Sequence, residues 1–144
     1  MQVRDVLRKK GGRIFTIGAQ ATVNEAVTRL VQNNIGSLPV VDDQGRMVGV
    51  FSERDVIRLY HNHGEAFGRL HVEDVMTRNP VTCVVDDDVN EVMGLMSERR
   101  IAKVPVLDGD RLVGVVSVGD VIKVMYEHVQ SENSHLYNYL HGIA

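Results

Sequence analysis

The stretch "GVFSERD" at residues 49–55 recurs in outline as "GVVSVGD" at residues 114–120. Both copies keep a glycine, a serine and an aspartate at the same spacing, and in both an apolar-periodic segment follows the serine. Serine and aspartate three residues apart at such a boundary predict the first turn of a helix. The hydroxyl would cap a backbone N–H and the carboxylate would face the positive end of the helix dipole. The motif therefore predicts the same strand-to-helix turn twice in one chain.

The likeness extends well beyond this turn. The segment "TVNEAV" before the first copy is matched by "DVNEVM", and "IGSLPVVDDQGRMVG" is matched by "IAKVPVLDGDRLVG", in which the loop is one residue shorter. Duplication over such a length predicts two copies of one structural unit. Each unit has about 60 residues, too few to bury an adequate core alone. We therefore expect the two copies to pack together with approximate two-fold symmetry and to leave equivalent clefts between them.

Each copy predicts the same order of elements, a short helical lead-in followed by β-α-β-β-α, so the fold class is α/β (α+β). The first strands are predicted at "RIFTI" (residues 13–17) and "PVTCVV" (residues 80–85). After the first helix, a polar loop joins two strands into a hairpin. The helix of the Ser-x-x-Asp turn follows, and the last helix is expected to continue or resume through "SHLYNYL".

The first helix of each copy is predicted to begin after Thr22 or Asp88, with Glu25 or Glu91 three residues on. This spacing is that of a capping box, in which the two side chains satisfy backbone N–H groups reciprocally. Apolar residues at helical spacing are expected to face the core: Val23, Ala26, Val27, Leu30 and Val31 in the first copy, and Val89, Val92, Met93 and Met96 in the second.

The composition bounds the class of protein. The chain has 144 residues, 44% of them hydrophobic and 24% charged, with a net charge of -3 and a pI of about 6.0. A net negative charge provides no basic field for nucleic acid, and we see neither a signal peptide nor a membrane span. The single cysteine, Cys83, lies in an apolar run and is expected to be buried and unreactive. A lone thiol suits a reducing compartment, so a cytoplasmic location is expected.

The Ser-x-x-Asp turn could also hold a ligand. The free N–H groups and the dipole at a helix N-terminus favour a phosphate, and Gly49 and Gly114 could permit close backbone approach. An ionised aspartate only accepts hydrogen bonds, so it suits a ribose diol rather than the phosphate. Lys103 or Arg54 could supply the cation that meets the phosphate. These residue types suggest a nucleotide site, although the serine and aspartate could equally do no more than cap the helix.

With the repeat, the chain resembles a stand-alone tandem pair of CBS domains. The segments that carry the resemblance are "IGSLPVVDDQGRMVGVFSERDVI" and "IAKVPVLDGDRLVGVVSVGDVI", with "TVNEAV" or "DVNEVM" before them. The resemblance implies CBS domain 1 at residues 3–60, a connector at 61–71, CBS domain 2 at 72–126 and a helical tail at 127–144.

In that family the pair binds adenine nucleotides in its two clefts, and the aspartate of the turn holds the ribose hydroxyls. The resemblance implies AMP as the first ligand to consider, with ADP, ATP or NAD(H) as alternatives. The motif and the resemblance together give these candidate binding residues: Ala21, Thr22, Gly36, Ser37, Ser52, Arg54 and Asp55 in the first copy, and Asp87, Asp88, Ala102, Lys103, Ser117, Gly119 and Asp120 in the second.

The two copies depart from the family pattern in different ways. The first has Ser37 where a basic phosphate ligand is often found, whereas the second has Lys103. The second adds negative charge near its cleft through Asp87 and Asp88. We therefore expect unequal affinities, with the more complete set around Asp120.

The sequence offers no catalytic constellation. It contains neither a phosphate-transfer loop nor a Gly-x-Gly-x-x-Gly fingerprint, and no nucleophile paired with a base. His61, His63 and His71 lack accompanying ligands at metal-binding spacing, so no metal site is predicted. We expect a non-enzymatic regulatory module that acts on a partner protein in trans and forms a homodimer, helped by apolar helix faces at residues 56–60 and 121–129. The alternative is a dimeric scaffold of the same fold that binds no ligand.

Overall fold

Residues 1–142 are described by a computed structural model. The helices are α1 (Val3–Lys10), α2 (Val23–Asn33), α3 (Glu53–His63), α4 (Val72–Val75), α5 (Val89–Arg99) and α6 (Val118–Leu140), with a 3-10 helix at Gly64–Arg69. The strands are β1 (Ile17–Gly18), β2 (Ser37–Val41), β3 (Met47–Ser52), β4 (Cys83–Val84), β5 (Lys103–Asp108) and β6 (Arg111–Ser117). The predicted β-α-β-β-α order is therefore confirmed in both copies, and α6 continues without a break through the predicted tail.

The chain divides into two compact units, which we name after their turn serines. The Ser117 unit comprises Met1–Gly12, Cys83–Val106 and the chain from Gly114 onward. The Ser52 unit comprises Arg13–Thr82 and Leu107–Val113. The units do not follow the sequence repeats, because each lead-in helix packs with strands of the other repeat.

The lead-ins are held by burial and by backbone hydrogen bonds. In the Ser117 unit, Val3 and Val6 of α1 are buried, and the Val3 N–H donates to the Asp87 carbonyl at 2.9 Å. In the Ser52 unit, Val72 of α4 is buried, and its N–H donates to the Ala21 carbonyl at 2.9 Å. Neither helix is long enough to be stable alone, so tertiary burial fixes both.

Each unit has a three-stranded sheet, in the order β1-β2-β3 or β4-β5-β6. In the Ser52 unit, β1 pairs parallel to β2, with Ile17 opposite Val40, and β2 pairs antiparallel to β3, with Ser37 opposite Ser52. The hairpin register thus brings the residue that opens β2 beside the serine that ends β3.

Each unit also has its own apolar core. In the Ser52 unit the buried side chains are Ile17, Val23, Ala26, Leu30, Leu38, Val40, Phe51, Leu59, Val72 and Met76. In the Ser117 unit they are Val3, Val6, Cys83, Val89, Val92, Met96, Val104, Val106, Val116, Val121 and Val124. The predicted helix stripes account for six of the twelve helical members, and Cys83 is buried as predicted.

Three details of the sequence reading are wrong. The first strands are only two residues long. Pairing with β2 begins at Ile17, the last residue of the first predicted segment, and β4 includes only Cys83 and Val84 of the second. Val31 is 74% exposed, because it follows Leu30 near the end of α2 and points away from the core. Glu91 forms no capping box, since the Asp88 carboxylate accepts from the Asn90 N–H at 2.7 Å, one residue short of the predicted partner.

Among residues 1–142, no helix combines the length and the apolar character that crossing a bilayer would require.

Candidate functional site

The Ser52 turn is a closed capping box. The Ser52 N–H donates to Oδ2 of Asp55 at 2.8 Å, and the Asp55 N–H lies 3.4 Å from the Ser52 hydroxyl oxygen. The second carboxylate oxygen of Asp55, Oδ1, accepts from the Arg58 guanidinium at 3.3 Å. Asp55 is only 6% exposed. Both of its oxygens are therefore occupied by groups of the same unit.

Two further candidate residues of the first copy join this turn. The Glu53 N–H, the first in α3, donates to the Gly36 carbonyl at 2.9 Å, and Ser37 lies opposite Ser52 in the hairpin. The Glu53 carboxylate lies over Gly36, since a methyl group added there would be 3.2 Å from its Oε1 atom. Arg54 is exposed. The turn thus combines two carboxylates with two exposed guanidinium groups, those of Arg54 and Arg58.

The Ser117 turn has the same capping box but a different cation. The Ser117 N–H donates to Oδ2 of Asp120 at 3.0 Å, and the Asp120 N–H donates to the Ser117 hydroxyl at 3.0 Å. The Lys10 ammonium, at the end of α1, also lies 2.8 Å from Oδ2 and donates to the Val115 carbonyl at 2.7 Å. Within the described residues, no hydrogen bond reaches Oδ1 of Asp120. Because its side chain is 23% exposed, Asp120 keeps one accessible oxygen.

The protonation of Asp120 reflects these contacts. Partial burial by itself would raise the pKa, but the hydrogen bonds from Lys10 and Ser117 outweigh it and hold the pKa of Asp120 below its ordinary value of 3.8. Asp120 is therefore a carboxylate at neutral pH, able only to accept hydrogen bonds.

The second copy's other candidates lie partly at this turn. The Val118 N–H donates to the Ala102 carbonyl at 2.9 Å, which brings the start of β5 to the N-terminus of α6. Lys103 is the first residue of β5 and is exposed, and Gly119 is exposed in the first turn of α6. The Ser117 turn is thus less acidic than the Ser52 turn, because Val118 stands where the first copy has Glu53.

The remaining candidates lie at the N-termini of α2 and α5, and within residues 1–142 no hydrogen bond or ion pair joins them to the serine turns. Thr22 is part of a capping box with Glu25, as predicted. The Asp87 carboxylate accepts from the Val84 N–H at 2.9 Å, and Asp88 caps α5. The two aspartates are therefore already used by backbone amides.

A groove of about 480 Å³ lies along β1 and α2 in the Ser52 unit. One candidate, Ala21, lines it, but none of the residues of the Ser52 turn does. The lining residues are Ile17, Gly18, Ala21, Asn24, Glu25, Thr28, Arg29 and Gln32.

The glycine of each motif is explained by packing rather than by space for a ligand. A methyl group at Gly49 would lie 2.7 Å from the Thr77 carbonyl oxygen and 2.6 Å from the Met76 sulfur. A methyl group at Gly114 would lie 2.8 Å from Cδ2 of Leu7. Both distances are shorter than a Cβ atom tolerates unless its neighbours move. The absence of a side chain at each glycine therefore lets a lead-in segment pack against the strand. The space beside both glycines is filled by other residues of the chain, so the interpretation of these residues as room for a ligand is wrong.

Sequence reasoning missed three charged residues at the turns. Arg58 lies three residues after Asp55 on the same helix, so helical spacing could have identified it. Glu53 directly follows the serine, so its place inside the motif was a signal in itself. Lys10 carried no local signal, because only the packing of α1 brings it to Asp120.

Two further features concern metal binding and the reactivity of the cysteine. No group of three or more His, Cys, Asp or Glu side chains within residues 1–142 is arranged to hold a metal ion. Burial, with a smaller effect of the Asp87 charge, raises the pKa of Cys83 to about 11, which keeps the thiol protonated at neutral pH.

The CBS domain profile matches residues 3–62 and 72–127 of the chain. The chain is 30% identical to the CBS domain-containing protein CBSX3, mitochondrial, of Arabidopsis thaliana, over 97% of this chain and 72% of that protein. It spans less than a quarter of two longer Methanocaldococcus jannaschii enzymes that it also matches.

Solved structures give a similar picture. The CBS domain pair of protein MJ0100, in complex with 5-methylthioadenosine and S-adenosyl-L-methionine, has a TM-score of 0.73 and 29% identity, covering 89% of this chain and 98% of that one. CBSX2 in complex with AMP has a TM-score of 0.76 and 25% identity, covering 88% and 96%.

Proposed function

Because the chain belongs to the CBS-domain family, we propose that it is a regulatory module that binds an adenine nucleotide at its Ser-x-x-Asp turns. AMP is the first ligand to test, and ADP, ATP and NAD(H) are the alternatives. Similar proteins support an adenosyl ligand, since MJ0100 binds 5-methylthioadenosine and S-adenosyl-L-methionine and CBSX2 binds AMP.

The accessible Oδ1 atom of Asp120 is the main support for this proposal. An ionised carboxylate at that position can accept from the two hydroxyls of a ribose. The N-terminus of α6 adds a positive dipole end, and Lys103 adds an exposed ammonium for a phosphate. We therefore assign the tighter site to the Ser117 turn.

The Ser52 turn is proposed as the weaker site. Asp55 is more buried than Asp120, and both of its oxygens are engaged. A ribose hydroxyl would have to displace the Arg58 guanidinium, and the Glu53 carboxylate would repel a phosphate placed near Gly36.

The regulatory part of the proposal concerns what reads the bound nucleotide. The chain would act in the cytoplasm, as a homodimer, on a partner protein in trans. A ligand can shift such an assembly only if it binds one of its states more tightly than the other.

The capping boxes favour a second candidate function, a dimeric interaction scaffold that binds no nucleotide. In each turn the serine and the aspartate hydrogen-bond to each other's backbone N–H groups. A basic side chain of the same chain, Arg58 or Lys10, also already pairs with each carboxylate. In that case the motifs would serve stability alone.

Calorimetric titration with AMP separates the two candidates. We expect saturable binding in the micromolar range that Asp120→Ala removes from the tighter site. Asp5→Ala is the matched control, because Asp5 also closes a capping box in the Ser117 unit, at the start of α1. Asp5→Ala should cost about 1 kcal/mol of stability as a lost cap, and Asp120→Ala should cost somewhat more because it also removes the partner of Lys10. Only Asp120→Ala should affect binding. No AMP heat from protein that mass spectrometry finds free of nucleotide would favour the scaffold.

A further inference from the structure

The exposed part of α6 carries an apolar seam that no described residue covers. Only Val121 and Val124 of this helix are buried. Its outward side chains follow each other at alternating spacings of four and three residues: Ile122, Tyr126, Val129, Asn133, Leu136 and Leu140. The five apolar members are 50% to 69% exposed. This is the spacing of the contact positions of a coiled coil, in which such a seam faces another helix.

We propose that this seam, the α6 seam, pairs in parallel and in register with the α6 seam of a second copy of the chain. The proposal deepens the homodimer proposed above by naming the surface and the orientation of its helices. It does not depend on nucleotide binding.

Asn133 decides the orientation. The four-then-three spacing puts Ile122, Val129 and Leu136 at the d positions and Asn133 at an a position. In a parallel, in-register pair the two Asn133 side chains face each other and can hydrogen-bond, which is how a single asparagine at an a position specifies such a pair. In a shifted or antiparallel pair the amide would face an apolar side chain and lose its partner.

Area and charge support a second copy as the occupant. The exposed fractions leave roughly 600 Å² of seam per copy, so full burial in a pair would remove about 1,200 Å² from solvent, the lower bound for a specific interface. The e and g positions flank the seam, and after Lys123 only one of them is charged, Glu132. In a parallel pair Glu132 would face Tyr137 of the other copy, so no like charges would oppose each other there. After Lys123 the helix has no lysine or arginine, so it lacks the basic face of a membrane-surface helix.

A partner would also stabilise the helix itself. Its exposed length, residues 125–140, lies near the limit at which an isolated helix is marginal in water. The Lys9–Glu127 ion pair, at 3.7 Å between exposed side chains, adds little. Pairing would stabilise the helix by burying its apolar stripe.

Cysteine cross-linking of the full-length chain tests the register. Two copies that carry Asn133→Cys should become linked by a disulfide under mild oxidation, because equivalent a positions face each other. Ser131→Cys, at an f position on the outer side, is the matched control and should cross-link little. The unmodified chain controls for the buried Cys83.

Sedimentation equilibrium tests the energetics. Leu136→Glu should weaken association at least tenfold, whereas Ser131→Glu should leave it unchanged. Asn133→Val should tighten association, because a polar residue at an a position costs stability, whereas an asparagine that faces solvent instead of the seam would predict no change.

The outcomes separate this inference from the proposals above. A dimer in which Asn133→Cys cross-links no better than Ser131→Cys would overturn the α6 pairing but leave the homodimer standing. A monomer at all concentrations would overturn both. Titration of Leu136→Glu with AMP measures nucleotide binding when the seam is disrupted. Its result tests the nucleotide proposal and not the α6 pairing.

Discussion

The contact between Lys10 and Asp120 allows a quantitative prediction. The Nζ–Oδ2 distance is 2.8 Å, and Lys10 donates a second bond to the Val115 carbonyl at 2.7 Å. The two side chains are 35% and 23% exposed, so solvent screens the pair and a buried-pair energy does not apply. Exposed pairs contribute up to about 1 kcal/mol, and a charge-assisted bond to a carbonyl adds a comparable amount. We expect Lys10→Met to lower the free energy of unfolding by about 1–2 kcal/mol.

Urea unfolding at neutral pH measures this effect, and a double-mutant cycle with Asp120→Asn isolates the pair. The cycle should give a coupling energy of about 0.5–1 kcal/mol. Lys9→Met is the matched control, because the Lys9 ammonium lies 3.7 Å from Glu127 and both side chains are more exposed. A coupling energy indistinguishable from zero, or an equal loss of stability in Lys9→Met, would show that the Lys10–Asp120 contact does not stabilise the fold.

Three other predictions concern the same units. Gly49→Ala should cost about 2–3 kcal/mol and Gly114→Ala about 1 kcal/mol in urea unfolding, because a backbone carbonyl blocks the first methyl group and a flexible side chain the second. The lowered pKa of Asp120 means that its contribution is fully present above the ordinary value of 3.8 and is lost as the pH falls through the lower folded value. The stability difference between the unmodified chain and Lys10→Met should therefore shrink in acid, and a difference that stays constant would contradict this assignment. Cys83, with its pKa raised to about 11, should resist a thiol reagent at pH 7 in the folded chain and react in urea; rapid labelling without denaturant would count against its burial.

Local patterns predicted the parts of the fold that short-range chemistry controls. The turns at Ser52 and Ser117 form the capping boxes that their spacing predicts, because the partners lie three residues apart. The hairpins and the helix stripes were predicted from alternation and helical period for the same reason. The failures at Glu91 and Val31 concern single residues near helix ends, where small differences in side-chain reach and direction decide the contact.

The candidate site was predicted less completely. The sequence identified the aspartates of both turns, but it did not distinguish Asp55, with both oxygens engaged, from Asp120, with one accessible. It assigned Gly49 and Gly114 to a ligand, although they admit the lead-in segments. The nucleotide itself stays a prediction, to be tested by titration.

Residue patterns alone predicted the duplication, the order of elements, the capped turns and the family. These depend on residues close together in the chain and on a repeat that can be read by comparing two halves. The tertiary structure alone decided which lead-in helix joins which unit, why each motif needs its glycine, and that Lys10 lies on the Asp120 carboxylate. The physical reason is that burial of apolar helix faces, rather than any local signal, brings together side chains that are far apart in the sequence.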